Sequence, residues 1–206
     1  MSRIALFGGS FNPIHNGHLH LAQTVHDQCG LDRMLLMPSG TAPHKSSAEY
    51  APAPDRLAMC RLAAEPYPWL EVSDYELNKP GKSYTVETLR FLHSCYPEDA
   101  LFLLLGSDML LSFDSWYFWQ EILQLSGLLC VSRGTEPEET LRQKAAELAP
   151  YGQVTVLHAD PLPVSSSQIR HKIELCRKFS CYLPENVVQY IMLHGLYGAC
   201  SGQSMV

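Results

Sequence analysis

Ile4-Ala5-Leu6-Phe7-Gly8-Gly9-Ser10-Phe11-Asn12-Pro13-Ile14-His15-Asn16-Gly17-His18 is the stretch on which the reading of this chain turns. Four apolar residues run into a glycine pair, which marks a buried strand breaking into an open loop where another group can approach the backbone. Pro13 keeps Asn12 out of helical dihedrals, so the loop is expected to stay extended as far as Asn16-Gly17. Beyond it Leu19, Leu21, Ala22 and Val25 set up a helical stripe, and His18 falls in that helix's first turn.

A helix start offers unpaired N–H groups and a partial positive charge, and the glycines expose further amides. Strand, loop and helix together form a cradle for phosphate, which His15 and His18 can both face. Imidazoles beside such a cradle suit phosphoryl or nucleotidyl transfer, in which a protein mainly positions groups and neutralises developing charge. A lone histidine in either place would more simply cap the helix or sit in the loop.

The chain has 206 residues, 46% hydrophobic and 17% charged, which suits one domain with a sizeable core. Net charge is −6, with no run of Lys and Arg, so nucleic acid and anionic membranes are poor partners. The apolar stretch after Arg3 is too short for a signal peptide and Leu101 to Leu105 too short to span a bilayer, so a cytoplasmic location is expected. Seven cysteines without a Cys-x-x-Cys pair read as reduced thiols, mainly in the core.

Short apolar runs then alternate with amphipathic stretches. Strands are expected at Arg33 to Met37, Leu70 to Val72, Leu101 to Leu105, Leu128 to Ser132 and Val154 to His158. Helices are expected near Asp55 to Ala64, Thr85 to Cys95, Trp116 to Leu123, Glu136 to Ala149 and Pro184 to Leu196. The class is α/β, a Rossmann-like doubly wound and mostly parallel sheet with helices on both faces, over residues 1–197 with a frayed tail at 198–206. In such a sheet ligands bind beyond the carboxyl ends of the strands, where strand order reverses.

Several polar motifs fall at such ends. The loop Pro38 to Pro54 carries Pro43-His44-Lys45, cations that could close over an anion or simply be solvated. Ser83-Tyr84-Thr85 precedes a helix, with capping the simpler role for Ser83. Gly106-Ser107-Asp108 follows a buried strand, where the carboxylate could meet ribose hydroxyls or Mg²⁺, or cap a short helix. Trp116-Tyr117-Phe118-Trp119 puts four aromatics in one turn, so at least one ring should face a ligand or solvent. Arg133 could contact phosphates or lie on the surface. Pro163-Val164-Ser165-Ser166-Ser167-Gln168-Ile169-Arg170 marks a helix N-terminus where N–H groups, hydroxyls and a permanent cation converge, either a second anion site or a serine cap with a surface arginine.

Residues 8–18 resemble the His-x-Gly-His signature of the nucleotidylyltransferase superfamily. Pro43-His44-Lys45 is similar to the Pro-Pro-His-Lys loop of bacterial nicotinate-mononucleotide adenylyltransferases, with Ala42 in place of the first proline. Ser83-Tyr84-Thr85, Gly106-x-Asp108 and Trp116 resemble further motifs of that family, and Val164-Ser165-Ser166-Ser167-x-Ile169-Arg170 its Ile-Ser-Ser-Thr-x-Ile-Arg. Six motifs in order cover Arg3 to about Tyr197. The resemblance implies adenylyl transfer from ATP, with Mg²⁺, to nicotinate mononucleotide, giving deamido-NAD and pyrophosphate. It gives ATP contacts to Gly8, Gly9, Ser10, Phe11, His15, His18, Gly106, Asp108, Ser165, Ser166, Ser167 and Arg170. It gives the mononucleotide to His44, Lys45, Tyr84, Thr85, Trp116 and Tyr117, the amides near Thr85 and Tyr117 holding the pyridine carboxylate and Trp116 stacking on the ring. His15, His18 and Arg170 are the expected catalytic groups, with no dedicated protein site for the metal. The alternatives are another nucleotidylyltransferase, such as one acting on phosphopantetheine, or a non-catalytic NAD-binding sensor on the same fold. Oligomeric state is left open, a homo-oligomer included.

Overall fold

A computed structural model describes residues 1–40, 50–132, 136–160 and 162–199. Its strands are β1 (Arg3–Gly9), β2 (Arg33–Pro38), β3 (Leu70–Val72), β4 (Ala100–Gly106), β5 (Gly127–Ser132) and β6 (Val154–His158). They form one six-stranded sheet in the order β3-β2-β1-β4-β5-β6, and every pairing is parallel. The helices are α1 (Asn16–Cys29), α2 (Ala53–Ala64), α3 (Tyr75–Asn78), α4 (Thr85–Cys95), α5 (Ser107–Leu111), α6 (Trp119–Leu125), α7 (Glu138–Leu148), α8 (Ser166–Glu174) and α9 (Glu185–Leu193).

Side-chain alternation along the strands divides the core in two. Ala5 and Phe7 of β1, Met34 and Leu36 of β2, and Phe102 and Leu104 of β4 meet α1, α2, α8 and α9 on one face. Ile4, Leu6, Leu35, Met37, Leu101, Leu103 and Leu105 point the other way, to α4, α5, α6 and α7. Strands buried on both faces become continuous apolar runs, which is why β4 reads Ala-Leu-Phe-Leu-Leu-Leu-Gly. The chain leaves β1 for β2 and β3, then returns to place β4 on the other side of β1. Strand order therefore reverses between β1 and β4, and the crevice beyond their carboxyl ends lies at Gly8-Gly9 and Gly106-Ser107-Asp108.

Two local expectations are corrected. The helix expected from Trp116 begins at Trp119, because Phe118 takes a left-handed φ of 52° and the preceding residues form a 3₁₀ turn at Phe113–Ser115. Cysteines are not mainly core: Cys60 and Cys130 are buried, whereas Cys95, Cys176 and Cys181 are exposed. Among the described residues all of them are free thiols. After α9 comes a 3₁₀ turn at Leu196–Gly198, and Ala199 packs against the core. No described helix is long and apolar enough to cross a membrane.

Gly152, in the turn between α7 and β6, lies against the backbone of α6. A Cβ there would sit 2.4 Å from the Leu123 carbonyl oxygen, an atom that cannot swing aside. Gly152→Ala should lower the free energy of unfolding by about 1–3 kcal/mol, the usual range for forced overpacking. Urea denaturation checks this, and an unchanged midpoint would show that the turn relaxes without cost.

Candidate active site

The cradle loop departs from β1 at Gly8, which is exposed and has open space where a side chain would lie. Gly9 has a different role: a Cβ there would strike the Phe11 ring at 2.9 Å. Phe11 is 1% exposed and takes a φ of 42°, so any share it has in ligand binding comes through its backbone. Its ring packs edge-on to His18, with centroids 5.1 Å apart, and Phe7 approaches the same imidazole.

His15 is the N-cap of α1 and His18 lies three residues on. Their rings stack with centroids 3.7 Å apart. The His15 N–H donates to His18 Nδ1 at 3.2 Å, and the His18 N–H donates to the His15 carbonyl at 2.8 Å. With Nδ1 of His18 accepting, its neutral ring carries the proton on Nε2, and that nitrogen is the one able to donate to a ligand. Both phenylalanines and the stacked His15 fix the ring's orientation before any substrate arrives.

α8 docks directly on this loop. Ser166 Oγ donates to the Pro13 carbonyl at 2.9 Å, and Arg170 Nη1 donates to the Asn12 carbonyl at 2.9 Å, across more than 150 positions of sequence. Val164 comes so close to α1 that a Cβ on Gly17 would lie 2.9 Å from its Cγ1. Gly17 is therefore required by the approach of the second motif to the first. His18, Ser166 and Arg170, each half-buried, consequently share one region of the surface, with the buried His15 stacked on His18.

The three serines have separate duties. Ser165 caps α8, its Oγ accepting from the Gln168 N–H at 3.2 Å while Gln168 Oε1 accepts from the Ser165 N–H at 3.2 Å. Ser167 Oγ accepts from Arg170 Nη2 at 3.4 Å. Only Ser166 spends its O–H on these bonds, so the groups α8 can offer to an anion are the O–H donors of Ser165 and Ser167, its first-turn amides and the remaining donors of Arg170.

At the end of β4, Gly106 caps α5, and a Cβ on it would meet Asp108 Oδ1 at 2.9 Å. The exposed Asp108 carboxylate thus folds back toward the strand end, in the first turn of α5 and not as its cap. Burial, with Asp108 adding to it, pushes the neighbouring Cys130 thiol up to about 12, which leaves it unreactive. On the other side, Ser83 Oγ is buried without a hydrogen-bond partner among the described residues and lies beside Gly40, past the end of β2. It does not cap α4; Tyr84 holds the N-cap position. Tyr84 and Tyr117, 40% and 54% exposed, bring their rings to 4.7 Å and so join two motifs that are distant in sequence. Thr85 opens α4, and Trp116 is partly buried against Phe113. His44, Lys45 and Arg133 lie outside the described residues. Among the described residues no group of three or more His, Cys, Asp or Glu side chains is placed to hold a metal ion.

Sequence reasoning passed over Arg56. It is 3% exposed, and it donates to the Ser10 carbonyl at 2.7 Å through Nη1 and to the Ala51 carbonyl through Nε. The signal was its spacing, since positions 56, 59, 60 and 63 lie on the buried face of α2.

Residues 6–172 match the family model described as cytidylyltransferase-like. Relatives named "Probable nicotinate-nucleotide adenylyltransferase" include one from Roseiflexus sp., 39% identical over 94% of this chain and 97% of the relative. Others come from Neisseria meningitidis, 37% identical over 96% and 99%, and Symbiobacterium thermophilum, 36% over 96% of each. Two structures of Plasmodium falciparum nicotinic acid mononucleotide adenylyltransferase, complexed with APC and with NaAD, superpose with a TM-score of 0.79 over 98% of this chain and 100% of theirs. At 16% and 17% identity they speak for the fold. With its fold, its crevice at the strand reversal and full-length relatives at more than 30% identity, this chain belongs to the nicotinate-nucleotide adenylyltransferase family within the cytidylyltransferase-like group.

Proposed function

We propose that this chain transfers the adenylyl group of ATP to nicotinate mononucleotide, giving deamido-NAD and pyrophosphate. The observation that carries the proposal is the docking of α8 on the cradle loop, through Ser166 to Pro13 and Arg170 to Asn12, beside the fixed ring of His18. Two helix starts, a neutral imidazole donor and a permanent guanidinium cation thereby serve one triphosphate.

The acceptor phosphate oxygen is already anionic, so no general base is needed. It attacks the α-phosphorus in line, the bond from that phosphorus to the bridging oxygen of the β-phosphate breaks, and pyrophosphate leaves with the electron pair. Charge grows on the leaving group. His18 Nε2–H, His15, the guanidinium of Arg170 and the first-turn amides of α8 are the donors that meet it. ATP enters as its Mg²⁺ complex, the ion carried on the phosphates, and Asp108 stands where a carboxylate could accept from a ribose hydroxyl or a metal-bound water. Gly8 leaves the open approach to the backbone, and Ser10 and Gly106 flank it.

For the acceptor, Tyr84, Thr85, Trp116 and Tyr117 supply rings and main-chain N–H groups, and His44 and Lys45 are assigned to it by their motif. Neutral N–H donors aimed at a carboxylate favour nicotinate over nicotinamide, whose own NH₂ would oppose them. The chain works as a cytoplasmic enzyme over residues 1–197.

His18→Ala should lower turnover about a hundredfold or more with the circular dichroism spectrum unchanged, as expected for loss of a transition-state donor. Equal turnover would remove His18 from the mechanism. Pyrophosphate release from ATP, measured separately with nicotinate mononucleotide, nicotinamide mononucleotide and phosphopantetheine, should be fastest with the first. Preference for phosphopantetheine would reassign the acceptor, and binding without release would make the chain a sensor.

A further inference from the structure

The far end of the described chain returns to the cradle loop. After α9 the backbone passes Gly195 and the 3₁₀ turn at Leu196–Gly198, in which Tyr197 holds a φ of 58°. A bulky residue keeps a left-handed conformation only where its surroundings hold it there. Here the Tyr197 hydroxyl donates to Asn12 Oδ1 at 2.9 Å, across 185 positions of sequence.

Asn12 is a junction. It is 2% exposed, and the oxygen that accepts from Tyr197 also accepts from the Ala51 N–H at 3.0 Å. Its main-chain oxygen accepts from Arg170 Nη1 at 2.9 Å. An amide oxygen has two lone pairs, so two donors saturate it and fix the plane of the side chain. With that plane held, the backbone carbonyl to which Arg170 is tied is held as well. Burial pushes the Tyr197 hydroxyl well above its ordinary range, so it remains a donor throughout the neutral region, even with the cations of Arg170 and Arg56 nearby.

We propose that Tyr197 is a positioning residue for adenylyl transfer: its hydroxyl locks Asn12, and Asn12 aims the Arg170 guanidinium at the phosphates. This rests on the role given above to Arg170. Tyr197 touches no substrate and acts only through that chain of contacts. Ala51 ties the segment just before α2 to the same amide oxygen.

Tyr197→Phe removes the hydroxyl and keeps the ring. In pyrophosphate release from ATP with nicotinate mononucleotide, kcat should fall about tenfold while KM for ATP changes less than about twofold. In an Arg170→Lys background the added Tyr197→Phe change should lower kcat by less than about twofold, since the group it aims is already altered. Tyr190→Phe is the control. Its hydroxyl donates to Asp55 Oδ1 at 2.8 Å, away from Asn12, and kcat should equal the wild type. Equal kcat for Tyr197→Phe and wild type would overturn the proposal. So would tenfold losses in both backgrounds, an equal loss in Tyr190→Phe, or a Tyr197→Phe chain that does not fold. A wild type that turns over with another mononucleotide corrects the acceptor and leaves this test standing on that acceptor; a wild type without turnover removes both.

Discussion

Two backbone carbonyls, those of Asn12 and Pro13, accept the hydrogen bonds on which the site depends. Their donors, Arg170 Nη1 and Ser166 Oγ, come from a helix that follows the sixth strand. A loop carbonyl directed inward must be paired or its burial is costly. The loop turns at Asn12-Pro13, and the carbonyls of both residues are paired with α8. The same two bonds bring a permanent cation beside the histidines, so the contacts that saturate the backbone groups also concentrate positive charge there.

The sheet makes this possible by returning the chain to β1. Because β4 comes back alongside β1, the loops after these two strands face one crevice, and the chain's last third must cross that crevice's rim to place α8 and α9 on the α1 side of the sheet. Close packing then becomes a sequence constraint. Gly17 has no side chain because Val164 occupies its place, and Gly9 has none because Phe11 does. Gly8, by contrast, faces open space, which fits a position kept clear for a ligand.

Electrostatics follow the same division. Arg56 is buried against the Ser10 and Ala51 carbonyls, where desolvation pulls its guanidinium below the usual range. A desolvated cation under the cradle loop adds positive potential there, and it braces the loop from α2 while Arg170 braces it from α8. With a net charge of −6, the chain concentrates its binding potential in a few local groups and helix starts.

Periodicity alone determined most of the secondary structure: β3, β6 and α4 fall at the residues expected, and the apolar stripe of α1 is the buried one. Those elements were legible because burial on a sheet or helix face imposes its period on consecutive residues. Motif order also marked the histidines, the serines and Arg170. Only the tertiary structure decided which hydroxyls were already engaged, that Ser83 does not cap its helix, that Phe118 turns left-handed and delays α6, and that Arg56, Tyr197 and Asn12 meet. Contacts between positions nearly two hundred residues apart leave no period in the chain, because they are fixed by the order of strands and by the space between packed elements.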